Sequence, residues 1–157
     1  MQNKPIKRSN FLIQLSRDHH LSLLFCWKIK EGLKRDISPI LKDYVHFFWK
    51  GHMLDHFKQE EILLYNNCLD QLCKDAVNQH DIITEIIRQI HQDENPKSSL
   101  FQSLIDQVNL HIRFEERQVF PHLEKSLSTA ELRLIEKILD KEKDDFTDNY
   151  PVEFWKL

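Results

Sequence analysis

Six residues have the side-chain types and the spacing to bind metal ions: His19, His56, Glu60, His80, His111 and Glu115. All six fall on stripes that are otherwise Leu, Val, Ile and Trp at helical spacing. A carboxylate buried alone in such a core is strongly disfavoured, so it must be neutralised, paired or metal-bound. His56–Glu60 and His111–Glu115 are both i, i+4 pairs, which lie side by side on a helix face. Each pair can present one nitrogen and one oxygen to a metal at about 2.0–2.2 Å. Glutamates facing each other across the core can bridge two metals, leaving the imidazoles as terminal ligands. A nitrogen and oxygen donor set without sulfur fits iron first, with manganese and zinc also admissible. Taken singly, these residues have plainer explanations. A lone histidine on an apolar stripe is ordinarily a hydrogen-bonded core residue, and Glu60-Glu61 or Glu115-Glu116 alone reads as a solvated helix edge. Six of them on four helices, including two equal His-x-x-x-Glu pairs, point to a shared cation.

The elements that must position them are helices. A first amphipathic run covers 11–35, with Ser9 or Asn10 as N-cap and the stripe Leu12, Leu15, His19, Leu23, Cys26, Ile29 and Leu33. A second opens at Ser38 as N-cap with Pro39 behind it and runs to about Asn67. Its stripe is Leu41, Val45, Trp49, His52, His56, Glu60 and Leu63, and Gly51 marks a bend or a close approach. A third covers 73–92, with Ala76, Val77, His80, Ile83, Ile87 and Ile90 inward. The fourth begins after Asn95-Pro96, carries Leu104, Val108, His111, Glu115 and Val119, and ends near Phe120-Pro121. Ser128 to Glu131 forms a capping box for a shorter fifth helix over 129–143. The expected architecture is all-α: an up-down four-helix bundle with a short additional C-terminal helix, one domain over 10–145. A tail over 146–157 follows, in which Phe154 and Trp155 can dock on the bundle.

The bulk properties agree. The chain has 157 residues, enough for one core, and its 2 Gly and 5 Pro leave little turn chemistry for a sheet protein. A formal charge of −3, with no face collecting Lys and Arg, argues against nucleic acid. No apolar run approaches the roughly 18 residues needed to span a membrane, and no leader is recognised, so the chain reads as soluble and cytoplasmic. Cys26, Cys68 and Cys73 form no C-x-x-C pair and read as packing thiols in a reducing compartment. The sequence points to no protein partner. His46, His91 and His122 read as structural or surface residues. Phe47, Phe48, Trp49, Phe57 and Phe114 read as core packing that also restricts water around a metal.

Four stretches resemble the hemerythrin-like, or HHE cation-binding, family. They are Arg17-Asp-His-His20, His56-Phe-Lys-Gln-Glu-Glu61, Gln79-His-Asp-Ile82, and His111-Ile-Arg-Phe-Glu-Glu-Arg-Gln-Val-Phe-Pro121. The resemblance implies that His19, His56, His80 and His111 are terminal ligands and that Glu60 and Glu115 are bridging carboxylates of a di-iron centre. It further implies binding of O₂, NO or peroxide, in sensing, storage or an oxidative or nitrosative stress response. A peroxide-consuming or oxidase-type enzyme and an iron-handling or iron-centre repair protein are the alternatives. Three positions stay open. His19 is preferred to His20 because it shares a face with Leu12, Leu15, Leu23 and Cys26. Glu116 rather than Glu115 matches the spacing of the oxygen-carrying members. Those members also pair two histidines four apart on the third helix, whereas Ala76 stands there in this chain, so a ligand is absent or comes from elsewhere. His52 is the best substitute, and a supporting buried role suits it equally well.

Overall fold

The computed structural model describes residues 10–66, 68–142 and 146–157. Four rods form the bundle. The first is α1 (Ile13–Leu33). The second is assembled from α2 (Ser38–Phe48), a π-helical turn at Trp49–Met53, α3 (Leu54–Glu60) and a second π turn at Glu61–Tyr65. The third is α4 (Gln71–Gln92). The fourth joins α5 (Ser98–Phe114), a π turn at Glu115–Val119 and α6 (Phe120–Ser126). α7 (Thr129–Lys141) follows as the short fifth helix, so the expected all-α bundle is what forms. α4 lies along α5, α5 along α1, and α2 against both α1 and α4, closing a four-rod ring. No helix among the described residues is long and apolar enough to cross a membrane.

The fourth rod does not end at Phe120-Pro121. Proline lacks the N–H for the i−4 bond, and its ring crowds that carbonyl. The widened turn just before it, closed by Phe120 N–H donating to the Glu115 carbonyl, sets Pro121 in the first turn of α6, where it is tolerated. The caps also differ from expectation. Leu12, not Asn10, precedes α1, and no side chain caps it; Ser9 lies outside the described residues. Ser38 is the first helical residue rather than the cap, and its hydroxyl donates to the Pro96 carbonyl at 2.9 Å. The capping box of α7 is as read: Glu131 N–H donates to Ser128 Oγ at 3.1 Å. Leu23, placed on the inward stripe of α1, is 41% exposed, and Phe25 is buried instead.

Two apolar clusters fill the bundle. One gathers Phe25, Phe48, Phe57, Ile83, Val108 and Ile112, the other Leu15, Leu64, Ala76, Val119 and Phe120. On every rod the chain passes from one cluster to the other through a His or a Glu. The six candidate ligands therefore form a polar layer between two hydrophobic blocks.

Two features lie outside the bundle pattern. The expectation of three free thiols is corrected: Cys68 and Cys73 form a disulfide with their Cα atoms 6.1 Å apart, and Cys26 alone stays a buried thiol. The chain reverses between the second rod and α4, which brings a C-x₄-C spacing within bonding reach; a search for C-x-x-C misses it. The thiol argument for a reducing compartment thereby loses two of its three cysteines.

The tail docks through aromatic and ionic contacts. Phe154 is fully buried, and Phe146 stands where a Cβ on Gly51 would meet it at 2.5 Å. Asp148 accepts from Lys28 Nζ at 2.9 Å and from the Tyr44 hydroxyl, and Lys28 sits 4.0 Å over the Trp155 ring.

Candidate metal centre

All six predicted residues meet in the polar layer, and all are 3% exposed or less. Two groups of potential ligand atoms form there, each with its atoms within 4.8 Å of one another. One is His19, His56, Glu60 and Glu115; the other is His80, His111, Glu60 and Glu115. The two glutamates belong to both groups and so lie between the two pairs of imidazoles. Ring centroids are 5.3 Å apart for His19 and His56, and 4.6 Å for His80 and His111.

The outer ring nitrogens explain how the inner ones are aimed. Nδ1 of His56 meets Asp18 Oδ2 at 3.2 Å, and that of His80 meets Glu61 Oε1 at 3.0 Å. Nδ1 of His111 meets Gln79 Oε1 at 2.7 Å, and that of His19 meets Glu116 Oε1 at 2.8 Å. These partners are acceptors, so each Nδ1 carries the proton and each Nε2 turns inward. The first rod thus braces the second, the second the third, the third the fourth, and the fourth the first. Each brace is the sequence neighbour of a candidate ligand on its own rod. On α1 and α4 it stands one residue before the histidine; on the second and fourth rods it stands one residue after the glutamate.

Inside the layer five polar atoms lack hydrogen bonds. Nε2 of His19, His56 and His111, Oε2 of Glu60 and Oε1 of Glu115 are all buried with no hydrogen-bond partner. Distance is not the obstacle. His111 Nε2 is 2.6 Å and His19 Nε2 3.2 Å from Glu115 Oε1, and His56 Nε2 is 3.2 Å from Glu60 Oε1. Bare nitrogens face carboxylate oxygens across a common space, which is repulsive unless a positive charge lies between them. The donor set, four imidazoles and two carboxylates with no sulfur, fits a divalent transition metal.

Protons are the alternative positive charge. Burial opposes charging His19, but the carboxylates of Glu115 and Glu116, which accept from a protonated ring, outweigh it and raise the imidazole to about 9. The same balance, with Glu60 and Glu61 as partners, raises His80 to about 9. Burial and the neighbouring Glu115 push Glu60 well above the usual carboxylate range. Glu115 lies well below it: burial alone would raise it, but His111, Glu60 and His19 hold the charged form. Burial lowers His111.

His52 is buried one turn before His56 and stacks on it at 5.9 Å, but it belongs to neither group. Glu116 braces His19 from outside, and His20 is exposed. Phe57 lies flat on His80 at 4.0 Å, and Phe120 on His19 at 5.5 Å. A cleft of about 930 Å³ reaches the layer beside His56, lined by Asp18, His52, Ile62, Ile138 and Glu142.

Sequence reasoning weighed Glu116 only as an alternative ligand, and it did not single out the braces Asp18, Glu61 and Gln79 or Tyr65, whose buried hydroxyl donates to Glu115 Oε2. Adjacency carried a signal for the braces: each neighbours a candidate ligand. For Tyr65 there was none, because a tyrosine on an apolar stripe looks like packing.

The family model for the hemerythrin HHE cation binding domain matches residues 14–123, a span that contains all six residues and all four braces. No curated protein and no solved structure matches the chain. With more than half its length covered by that one model and a His and Glu cluster able to hold a cation, the chain belongs to the hemerythrin HHE cation-binding family.

Proposed function

We propose that this chain is a non-haem di-iron protein that binds O₂ or NO and serves in sensing, storage, or an oxidative or nitrosative stress response. His19 and His56 hold one iron, His80 and His111 the other, and Glu60 and Glu115 lie between them. The observation that carries this reading is the contrast within each imidazole: the outer nitrogen is braced, while five inner atoms of the layer converge without hydrogen bonds. When bound, reduced iron supplies electrons to a small diatomic ligand, a chemistry that amino-acid side chains lack.

The chain's own residues do the rest. The braces fix tautomer and ring direction, so the lone pairs are oriented before a cation arrives. Phe57 and Phe120 shield the histidines they stack on, keeping the layer dry and its electrostatics strong. The cleft beside His56 gives a small ligand a route to one side of the layer. The Tyr65 hydroxyl is a donor held at the carboxylate between the two positions, available to share its proton with Glu115. Ferritin-like oxidases carry paired Glu-x-x-His motifs on two helices, and no such motif occurs here, which disfavours that chemistry.

The test is metal analysis after iron-replete expression, followed by anaerobic reduction and exposure to O₂ or NO with optical detection. Two irons per chain and a reversible optical change support the reading. Iron-free protein, or iron with no response to either gas, defeats it. Sustained peroxide turnover favours the enzymatic alternative.

A further inference from the structure

The layer has an approximate two-fold arrangement that the sequence carries without a fixed-period repeat. α1 corresponds to α4, and the second rod to the fourth. His19 then corresponds to His80, His56 to His111, Glu60 to Glu115, and Glu61 to Glu116. The brace Asp18 corresponds to Gln79, and there the correspondence breaks. His56 leans on a carboxylate at 3.2 Å, whereas His111 leans on a neutral amide at 2.7 Å.

The difference has a chemical consequence. An imidazole whose Nδ1–H donates to a carboxylate gains electron density and becomes a stronger donor at Nε2; an amide acceptor fixes the ring but lends no charge. The His19 and His56 position is backed by two carboxylates, Glu116 and Asp18. The His80 and His111 position is backed by one carboxylate, Glu61, and by Gln79. A second break touches a carboxylate common to both positions, so the order of the two rests on the braces alone. Tyr65 stands five residues after Glu60, where the fourth rod has Phe120 five after Glu115. Its ring is 6.0 Å from His80, and its hydroxyl draws charge from Glu115 Oε2.

We infer, on the reading of two cation positions given above, that the two are unequal: the His19–His56 position binds its cation first and more tightly, and Gln79 makes the His80–His111 position the labile one. Gln79 and Asp18 act here as positioning residues, through the histidines they brace. The exchangeable cation is then the one beside Phe57, and the retained cation is the one next to the cleft.

The experiment is a stepwise Co(II) titration of the metal-stripped full chain, followed by the ligand-field absorption of Co(II). Repulsion between neighbouring cations separates two binding steps in any pair, so the readout is which step each variant moves. Asp18→Asn is expected to weaken the first step by about 10-fold or more, the usual effect of losing such a brace. Gln79→Glu is expected to tighten the second step by about 5- to 10-fold and to leave the first within about two-fold. If Asp18→Asn weakens the second step, or Gln79→Glu tightens the first, the order of the two positions is not the one inferred, and the inference falls while the two-cation reading stands. If the unmodified chain takes up no Co(II), that reading falls and takes the inference with it. Histidine proton NMR at one equivalent of Co(II) gives an independent check: the Nδ1–H signals of His19 and His56 are expected to shift before those of His80 and His111, and the reverse order overturns the assignment.

Discussion

Replacing Glu60 by glutamine separates a carboxylate held for a cation from one held for structure, because the two roles place the loss of stability in different arms, with the cation or without it. Glu60 is fully buried, its Oε2 has no hydrogen-bond partner, and its neighbour across the layer is a second carboxylate. Glutamine keeps the shape and the acceptor for His80, which stands 3.2 Å away, and removes the charge. Burial and Glu115 already push the Glu60 carboxyl towards its neutral form in metal-free protein, so a neutral isostere is expected to change stability by about 1 kcal/mol or less. For a domain of this length each kcal/mol moves the midpoint by about 2–4 °C, so the metal-free Tm of Glu60→Gln is expected within a few degrees of the unmodified chain. The metal-bound comparison differs. A cation at about 1,000 times its Kd stabilises the unmodified chain by about 4 kcal/mol, an increment the variant loses because the shared ligand is gone. Thermal unfolding in chelator and again in anaerobic Fe(II), with metal content measured on both proteins, reads the two arms. A variant that melts lower than the unmodified chain in chelator, by the 3–5 kcal/mol typical of a broken buried ion pair, yet keeps its metal increment, refutes the reasoning.

Three further outcomes follow from the same structure. His19 and His80, both raised to about 9, are protonated in the metal-free fold at neutral pH and must lose those protons to bind a cation. Cation affinity is therefore expected to rise with pH up to about 9 and then level off, with at least two protons released per chain at pH 7, measured by titration in weak buffer. Asp148→Ala strands the buried Lys28 and frees the Tyr44 hydroxyl; a loss of about 3–5 kcal/mol in denaturant unfolding is expected. Gly51→Ala sets a Cβ 2.5 Å from Phe146, so the ring must move off the second rod, and a loss of about 1–3 kcal/mol is expected by the same measurement.

What the sequence made legible follows from what helical periodicity encodes. His80 between Ala76 and Ile83, or Glu115 between Val108 and Val119, is anomalous on its own stripe, and such anomalies are readable without coordinates. The periodicity does not encode where a helix widens. Three π turns insert extra residues into the rods, so the faces drift; Leu23 shows how far an inward assignment fails even on the one uninterrupted rod of the first half. The pairing of Cys68 with Cys73 depends on a chain reversal that no local pattern announces. The braces are the intermediate case. Asp18, Gln79, Glu61 and Glu116 stand beside candidate ligands in the sequence, yet their partners lie on other rods. Only the order of the rods around the bundle says which histidine each one reaches.

The closed circuit of braces behaves like a set of meshed gears. Rotating α1 about its axis to redirect His19 also withdraws Asp18 from His56, and the disturbance passes from rod to rod until it returns through Glu116. No single helix can drift in register without unseating an imidazole on its neighbour. The lattice of contacts that aims the imidazoles therefore doubles as a lock on the angular setting of the whole barrel of helices, and two of the widened turns begin at that layer, one with Glu61 and one with Glu115 and Glu116.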